Sequence, residues 1–172
     1  MLTIRPETAS DHDAVRGVTL DAFGQPLEAN LVDALRRAEP RALSLVAEDE
    51  TGIVGHILFT PVTIETGDRP EEGMGLAPMA VASTRQRQGI GTTLVERGLA
   101  MLREQGCPFV VVVGHPWYYP RFGFTPASGR GLDSQWPGMP DQAFMVLVID
   151  EDAMRGVKGV ARYRPEFDEV AG

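Results

Sequence analysis

A single cysteine, Cys107, in 172 residues rules out an internal disulfide. Lying between Gly106 and the apolar Phe109, it reads as an inert buried thiol rather than a nucleophile. The three histidines stand at positions 12, 56 and 115 without metal-ligand spacing, so no metal site is expected. No apolar run approaches the roughly 18 residues of a membrane span. The opening Met1-Leu2-Thr3-Ile4-Arg5-Pro6 also lacks the apolar core of a signal segment. A protein without a membrane partner, placed in the cytoplasm, is the expectation. Positive charge is scarce as well. A formal charge of -8 speaks against a nucleic-acid surface, because phosphate backbones are met by basic patches. The acidity favours a cationic partner or serves solubility alone. Linkers, repeats and low-complexity tracts are missing, and with 43% hydrophobic residues the chain reads as one domain over 1–172. A chain of this size buries roughly 70% of its unfolded surface.

Apolar periodicity supplies the elements. Leu2 and Ile4 before Pro6 predict a short first strand. Ser10 with Asp13 makes a weak capping box for a helix carrying Ala14, Val15, Val18, Ala22 and Phe23. Pro26 interrupts it, and Leu27 to Ala38 predicts a second helix. Leu43 to Glu48 and Ile53 to Glu65 read as a hairpin turning at Asp49 to Gly52. Thr66 to Gly75 reads as a turn or exposed loop, Leu76 to Ala82 as a strand, and Thr92 to Gln105 as a helix. The unbroken apolar run Phe109 to Val113 suits a strand covered on both faces, parallel to its predecessor, with the helix as crossover. Phe144 to Ile149 and a stretch around Val160 to Arg164 complete the strands.

Between strand and helix stands Gln86-Arg87-Gln88-Gly89-Ile90-Gly91. Missing Cβ atoms at Gly89 and Gly91 allow a diphosphate close to the main chain, and Gln88 to Thr92 offer consecutive amide donors at a positive helix end. Arg85, Arg87 and Arg97 gather nearby. Residue 94 is leucine, which weakens a dinucleotide fingerprint, and the absence of Gly-Lys-Ser/Thr excludes a nucleoside-triphosphate loop. A second motif, Gly114-His115-Pro116-Trp117-Tyr118-Tyr119-Pro120-Arg121-Phe122-Gly123-Phe124, follows the strand at Val113.

The pattern Gln/Arg-x-x-Gly-x-Gly/Ala, followed at this separation by Tyr-x-Arg-x-Gly-Phe, resembles the GNAT superfamily of acyl-CoA-dependent N-acyltransferases. The resemblance implies an α+β fold: a mostly antiparallel mixed sheet, flanked by helices, in which parallel strands four and five splay apart. It implies acetyl-CoA as donor, held by Met79, Ala80 and Val81 along the fourth strand, by Arg85, Gln86, Arg87, Gln88, Gly89, Ile90, Gly91 and Thr92 at the turn, and by Arg121. A backbone N–H near Met79 or Ala80 would face the oxyanion. Tyr119, four residues before Gly123, would protonate the departing thiolate, with the adjacent Tyr118 as the alternative.

The acceptor implied is a small-molecule or peptide amine, and the family often forms homodimers. Many members carry a glutamate on the fourth strand. Here Ala77-Pro78-Met79-Ala80-Val81 holds no carboxylate, which leaves Glu28, His56 and His115 as candidate bases and points to an amine of low pKa or a base acting through water. Trp136 reads as an acceptor-pocket wall or as a packing plug. A domain that binds acyl-CoA as a sensor without turnover is the competing reading.

Overall fold

Strands β2 (Leu43–Asp49) and β3 (Gly52–Glu65) send alternate side chains to opposite faces of one sheet. Leu45, Ala47, Ile57 and Phe59 join a core with Leu94, Leu99 and Leu102 of helix α3 (Ile90–Glu104). Val46, Leu58, Val62 and Ile64 join a second core on the other face. There they meet Val15 of α1 (His12–Phe23) and Leu31, Val32 and Leu35 of α2 (Leu27–Ala38). The computed structural model describes residues 1–67 and 69–171. Its remaining elements are β1 (Thr3–Pro6), β4 (Glu71–Val81), β5 (Phe109–Val113), β6 (Thr125–Pro126), β7 (Leu132–Ser134), β8 (Phe144–Val148), β9 (Gly159–Arg162) and a last turn of helix, α4 (Asp168–Ala171).

The sheet runs β1-β2-β3-β4-β5-β8-β6, with β9 against the far end of β3 and β7 beside β9. Neighbours are antiparallel except β4–β5 and β7–β9. This is the expected α+β architecture, with helices on both faces.

One irregularity positions everything that follows. Strands β4 and β5 pair only through Met74–Val110 and Gly75–Val111. Immediately beyond, Ile57 lies opposite Met79 but Phe59 opposite Leu76, so β4 carries an extra residue at Ala77-Pro78. Such a bulge bends its strand, and Pro78 has no N–H to offer a neighbour. Strand β5 stays zipped to β8 from Phe109 through Val113. Only β4 turns away, and a wedge opens between the two strands.

Four sequence expectations need correction. β4 begins at Glu71 rather than Leu76, because Glu71 to Gly75 find partners along the long β3 from Ile64 to Thr60; pairing outweighs the poor strand propensity of Glu-Glu-Gly. The expected loop shrinks accordingly, and its Asp68 lies outside the described residues. The capping box forms earlier, at the 3-10 turn Ala9–Asp11, where the Asp11 carboxylate accepts the Thr8 N–H at 2.8 Å and Arg5 forks onto it at 2.7 and 2.9 Å; Ser10 reaches only the Thr8 hydroxyl, at 3.0 Å, and Asp13 takes no part. Strands β6 and β7, of two and three residues, are too short for periodicity to reveal.

Candidate active site

After β4 the chain makes one 3-10 turn, Ser83–Arg85, and reaches α3 through Gln86 to Gly89. Two clamps hold this loop. Asp21 of α1 accepts the Ser83 N–H at 2.7 Å and its hydroxyl at 3.0 Å, and Arg85 forms an ion pair with Asp49 at the end of β2. Hydrogen bonds from Thr51, with help from Arg85, hold the Asp49 carboxyl down at about 2. Arg85 is thus committed to the fold. Arg87 adopts a positive φ of 64°, unusual for a side-chain-bearing residue, and Gly89 one of 84°. Among the described residues, the N–H groups of Gln88, Gly89, Ile90, Gly91 and Thr92 meet no acceptor; the first helical bond comes from Thr93 to the Gly89 carbonyl at 3.0 Å. Five amides at a helix start form a concavity suited to an anion. Arg87, Gln88 and Gly89 are exposed around it, and Arg97 lies further along α3 on the solvent side.

The wedge leads from this loop into the molecule. Ala82 donates its N–H to Val54 of β3 at 2.9 Å, so by antiparallel alternation Ala80 also bonds toward β3 while Met79 and Val81 turn their backbone toward the wedge. Gln86 already donates its side-chain amide to the Val81 carbonyl at 3.2 Å. Of the two N–H groups considered from sequence, that of Met79 faces the wedge and that of Ala80 faces β3.

A cleft of about 420 Å³ lies at the inner end, lined by Phe23, Glu28, Leu31, Leu76, Ala77, Pro78, Met79, Val113, Gly114, His115, Tyr119 and Phe167. Tyr119 opens a 3-10 turn after β5 and is buried. Its ring lies so close to Gly114 that a Cβ there would meet Tyr119 Cε2 at 2.3 Å, so glycine at 114 is what lets the ring lie down. Burial, and secondarily the neighbouring Tyr118, push the Tyr119 hydroxyl up to about 12. It stays protonated across the neutral range, a standing proton donor of reduced acidity.

Tyr118 does something else. Its hydroxyl lies 2.9 Å from Thr92 Oγ1, and Arg121 stacks over its ring at 4.3 Å while donating Nε–H to the Tyr118 carbonyl at 2.9 Å. Arg121 thus packs on the same tyrosine whose hydroxyl meets Thr92 of the amide row. The bridge from Tyr118 to Thr92 was not foreseen from sequence, where Tyr118 figured only as a substitute for Tyr119.

The three candidate bases separate cleanly. Glu28, in the first turn of α2, and the exposed His115 both line the cleft with Tyr119. Gln25 donates its amide to both Glu28 oxygens at 3.1 Å, and His115 stacks on Trp117 with ring centroids 4.9 Å apart. His56 is buried, with Nε2 2.8 Å from Ser44 Oγ. Burial, against a partial offset from Glu7, depresses it to about 4. It is not among the residues that line the cleft. Cys107 donates its thiol to the Phe109 carbonyl at 3.1 Å, and burial raises its pKa, as an inert thiol requires.

Ala77, Val113 and Phe167 also wall a second chamber, of about 370 Å³, completed by Trp136, Pro137, Gly138, Met139, Pro140 and Tyr163. Trp136 packs on Tyr163 with centroids 4.8 Å apart, and Tyr163 on Phe167 at 5.2 Å. Trp136 thus lines a pocket and packs at once. Tyr163 and Phe167 carry no motif, and nothing in the sequence singled them out. Among the described residues no His/Cys/Asp/Glu group is arranged to hold a metal ion, and no helix is long and apolar enough to cross a membrane.

Residues 3–127 match the profile of an acetyltransferase (GNAT) domain. The chain is 36% identical over 168 residues to the uncharacterized N-acetyltransferase YhbS of Escherichia coli K12, covering 97% of this chain and 99% of that protein. To YjhQ of the same organism, also an uncharacterized N-acetyltransferase, it is 43% identical over 132 residues, 74% of this chain and 72% of the relative. The crystal structure of E. coli YhbS in complex with CoA superposes with a TM-score of 0.89 at 35% identity, covering 97% of this chain and 92% of that one. A GNAT family acetyltransferase from Brucella melitensis, in complex with acetyl-CoA, gives 0.80 at 35% identity over 98% and 99%.

Proposed function

The chain belongs to the acetyltransferase (GNAT) family, and on that premise we propose that it binds acetyl-CoA in the wedge between β4 and β5 and transfers the acetyl group directly to an amine, without an acyl-enzyme. The carrying observation is the row of five unpaired amides from Gln88 to Thr92, tied through Thr92 and Tyr118 to the turn whose Tyr119 lines the cleft. Bonds from amides to a charged phosphate contribute about 1.5 to 3 kcal/mol each, enough for three or four to anchor a diphosphate. The main chain at Met79 and Val81 would guide the pantetheine arm.

Acetyl-CoA supplies the acetyl group as a thioester. Met79 N–H stands where negative charge develops on the carbonyl oxygen. Tyr119 gives its proton to the departing thiolate; a pKa near 12 makes this uphill, by about 1.4 kcal/mol per unit against the thiol, and the dryness that raises the tyrosine raises the thiol too. For the amine, the empty position on β4 is replaced by Glu28 arriving from α2, within reach through water. A lysine-like amine with pKa ~10.4 costs about 4 to 5 kcal/mol to deprotonate at pH 7, an amine near 7.8 only about 1. The acidic chain and the single carboxylate in the cleft lining favour attraction of the protonated amine before that proton is shed.

Calorimetric titration with coenzyme A, paired with thiol release from acetyl-CoA over an amine panel, tests the reading. Saturable binding together with thiol release that depends on the amine is the expected result. Binding without release over the panel would leave an acyl-CoA sensor; no binding would remove the assignment altogether.

A further inference from the structure

A second polar cavity, of about 620 Å³, shares no residue with the amide row or with the cleft that holds Tyr119. Two loops form it: residues 128–131, which lead into β7, and residues 151–158, which lead into β9. In a chain of formal charge -8, its lining brings Arg130, Arg155 and Lys158 together against one carboxylate, Glu151. Ser128 adds a hydroxyl, and Met154 and Val157 add apolar surface.

Both arginines have partners that a ligand can displace. Arg130 forks onto Glu151 at 2.8 and 2.6 Å, with side chains 44% and 65% exposed. Arg155 meets Asp152 at 2.6 Å, with side chains 79% and 85% exposed. Ion pairs so open to water are weak, and an incoming dianion competes with either carboxylate. Lys158 is held differently. It is the only lysine in the chain and, among the described residues, it forms no ion pair. Its stem lies across Gly131, where a Cβ would meet Lys158 Cγ at 2.9 Å and Cδ at 3.1 Å. Glycine at 131 is therefore what lets the lysine cross from one loop to the other. The same two loops are already stitched together by the Gly159 N–H, which the Gly131 carbonyl accepts at 3.0 Å. An ammonium without a counter-charge, in one lining with two guanidinium groups on exchangeable partners, is an arrangement suited to an anion.

We propose that this cavity is a second anion site, separate from the amide row, and that its ligand is a phosphomonoester on a small polar organic body. A phosphomonoester brings three acceptor oxygens and nearly two negative charges at neutral pH. Lys158 meets it as a point charge, Arg130 forks onto it in place of Glu151, and Ser128 donates its hydroxyl. A lone carboxylate offers two oxygens and one charge, too few for three cations. The volume lies within the usual range of small-ligand pockets, with Met154 and Val157 left to pack against the organic body.

The single lysine makes the test direct. In the full chain isotope-labelled at lysine Cε, one NMR signal reports on Lys158 and on no other residue. Ribose 5-phosphate, succinate and coenzyme A are titrated separately. Ribose 5-phosphate should move the signal saturably, with an affinity about tenfold or more above that of succinate, a dianion built of carboxylates. Coenzyme A, at concentrations that saturate its own calorimetric isotherm, should leave the signal in place.

Arg130 and Glu151 are exposed, so their variants should fold. By the same signal, Arg130→Gln should weaken ribose 5-phosphate about tenfold. Glu151→Gln, which removes the competitor and keeps the arginine, should tighten it about threefold. Absence of a shift with ribose 5-phosphate, an equal or stronger response to succinate, or a Lys158 shift that follows the coenzyme A isotherm would each overturn the assignment. So would unchanged binding in Arg130→Gln, or unchanged or weaker binding in Glu151→Gln.

Discussion

Tyr118 Oη lies 2.9 Å from Thr92 Oγ1, so the turn that carries Tyr119 is tied to the helix start that carries the unpaired amides. The two residues stand 26 apart in sequence, and their hydrogen bond joins the two motifs across the mouth of the wedge. Tyr118→Phe keeps the ring and the Arg121 stack but removes this link. It should cost about 1 kcal/mol of stability and weaken coenzyme A about fivefold, read by denaturant titration and calorimetry. An unchanged affinity would mean that the two sides hold their places without the bridge.

Tyr119→Phe leaves the packing on Gly114 intact and takes only the proton. kcat should fall roughly a hundredfold, with the Kd for acetyl-CoA little changed. Because burial disfavours the phenolate and holds the hydroxyl up to about 12, the wild-type kcat should show no alkaline loss centred at pH 10; such a limb would contradict the assignment.

Glu28→Gln removes the one carboxylate of the cleft while keeping a hydrogen-bonding partner for Gln25. A fall in kcat/KM that is largest for amines of high pKa is expected, since those most need a base. Equal rates for wild type and variant with every amine would return the role to His115 or to bulk water.

At the anion loop, two glycines should respond differently. Gly89 holds φ at 84°, so Gly89→Ala should lose about 1 to 2 kcal/mol and weaken coenzyme A with it. A Cβ on Gly91 would meet Met79 Cε at 3.5 Å and Tyr118 Oη at 3.7 Å, ordinary contacts. Gly91→Ala should keep its melting temperature within about 2 °C, so any loss of coenzyme A affinity there measures close approach by the ligand alone.

His56 sets a pH window for stability. Its folded pKa of about 4 lies below the ordinary 6.5, so between those values the unfolded chain binds the proton and the folded chain does not. Stability is full above pH 6.5 and declines as pH falls toward 4, by on the order of 3 kcal/mol. His56→Gln, which can still pair with Ser44, should show a flat melting temperature between pH 6.5 and 5 where the wild type falls. Parallel curves would place the acid sensitivity in other groups.

Much of the scaffold was legible because local pattern and tertiary use agreed. Leu27–Ala38 and Phe109–Val113 form as their apolar spacing requires, and the glycine turn precedes α3 as its composition demands. Legibility failed where a distant partner decides. Glu71 to Gly75 become strand only because β3 is long enough to pair with them, and the capping box falls on Thr8 and Asp11, ahead of the first helix, where Arg5 of β1 binds the carboxylate. In the site, Tyr119 and the amide row were visible as motifs. Tyr163, Phe167 and the bridge from Tyr118 were not, since their meaning lies in which faces the sheet brings together.

By itself the sequence determined the family, the order of the longer strands and helices, and the chemistry on offer at Gly89–Gly91 and Tyr119, because these rest on backbone freedom and side-chain type over short spans. Only the tertiary structure decided that Arg85 is bound to Asp49, that His56 is walled off while Glu28 enters the cleft, and that the neighbouring chamber is apolar. Those outcomes depend on a bulge at Ala77-Pro78 that parts two strands, and the space so opened is lined by segments drawn from α2, β4, β5 and the C-terminal region, which no local pattern can bring together.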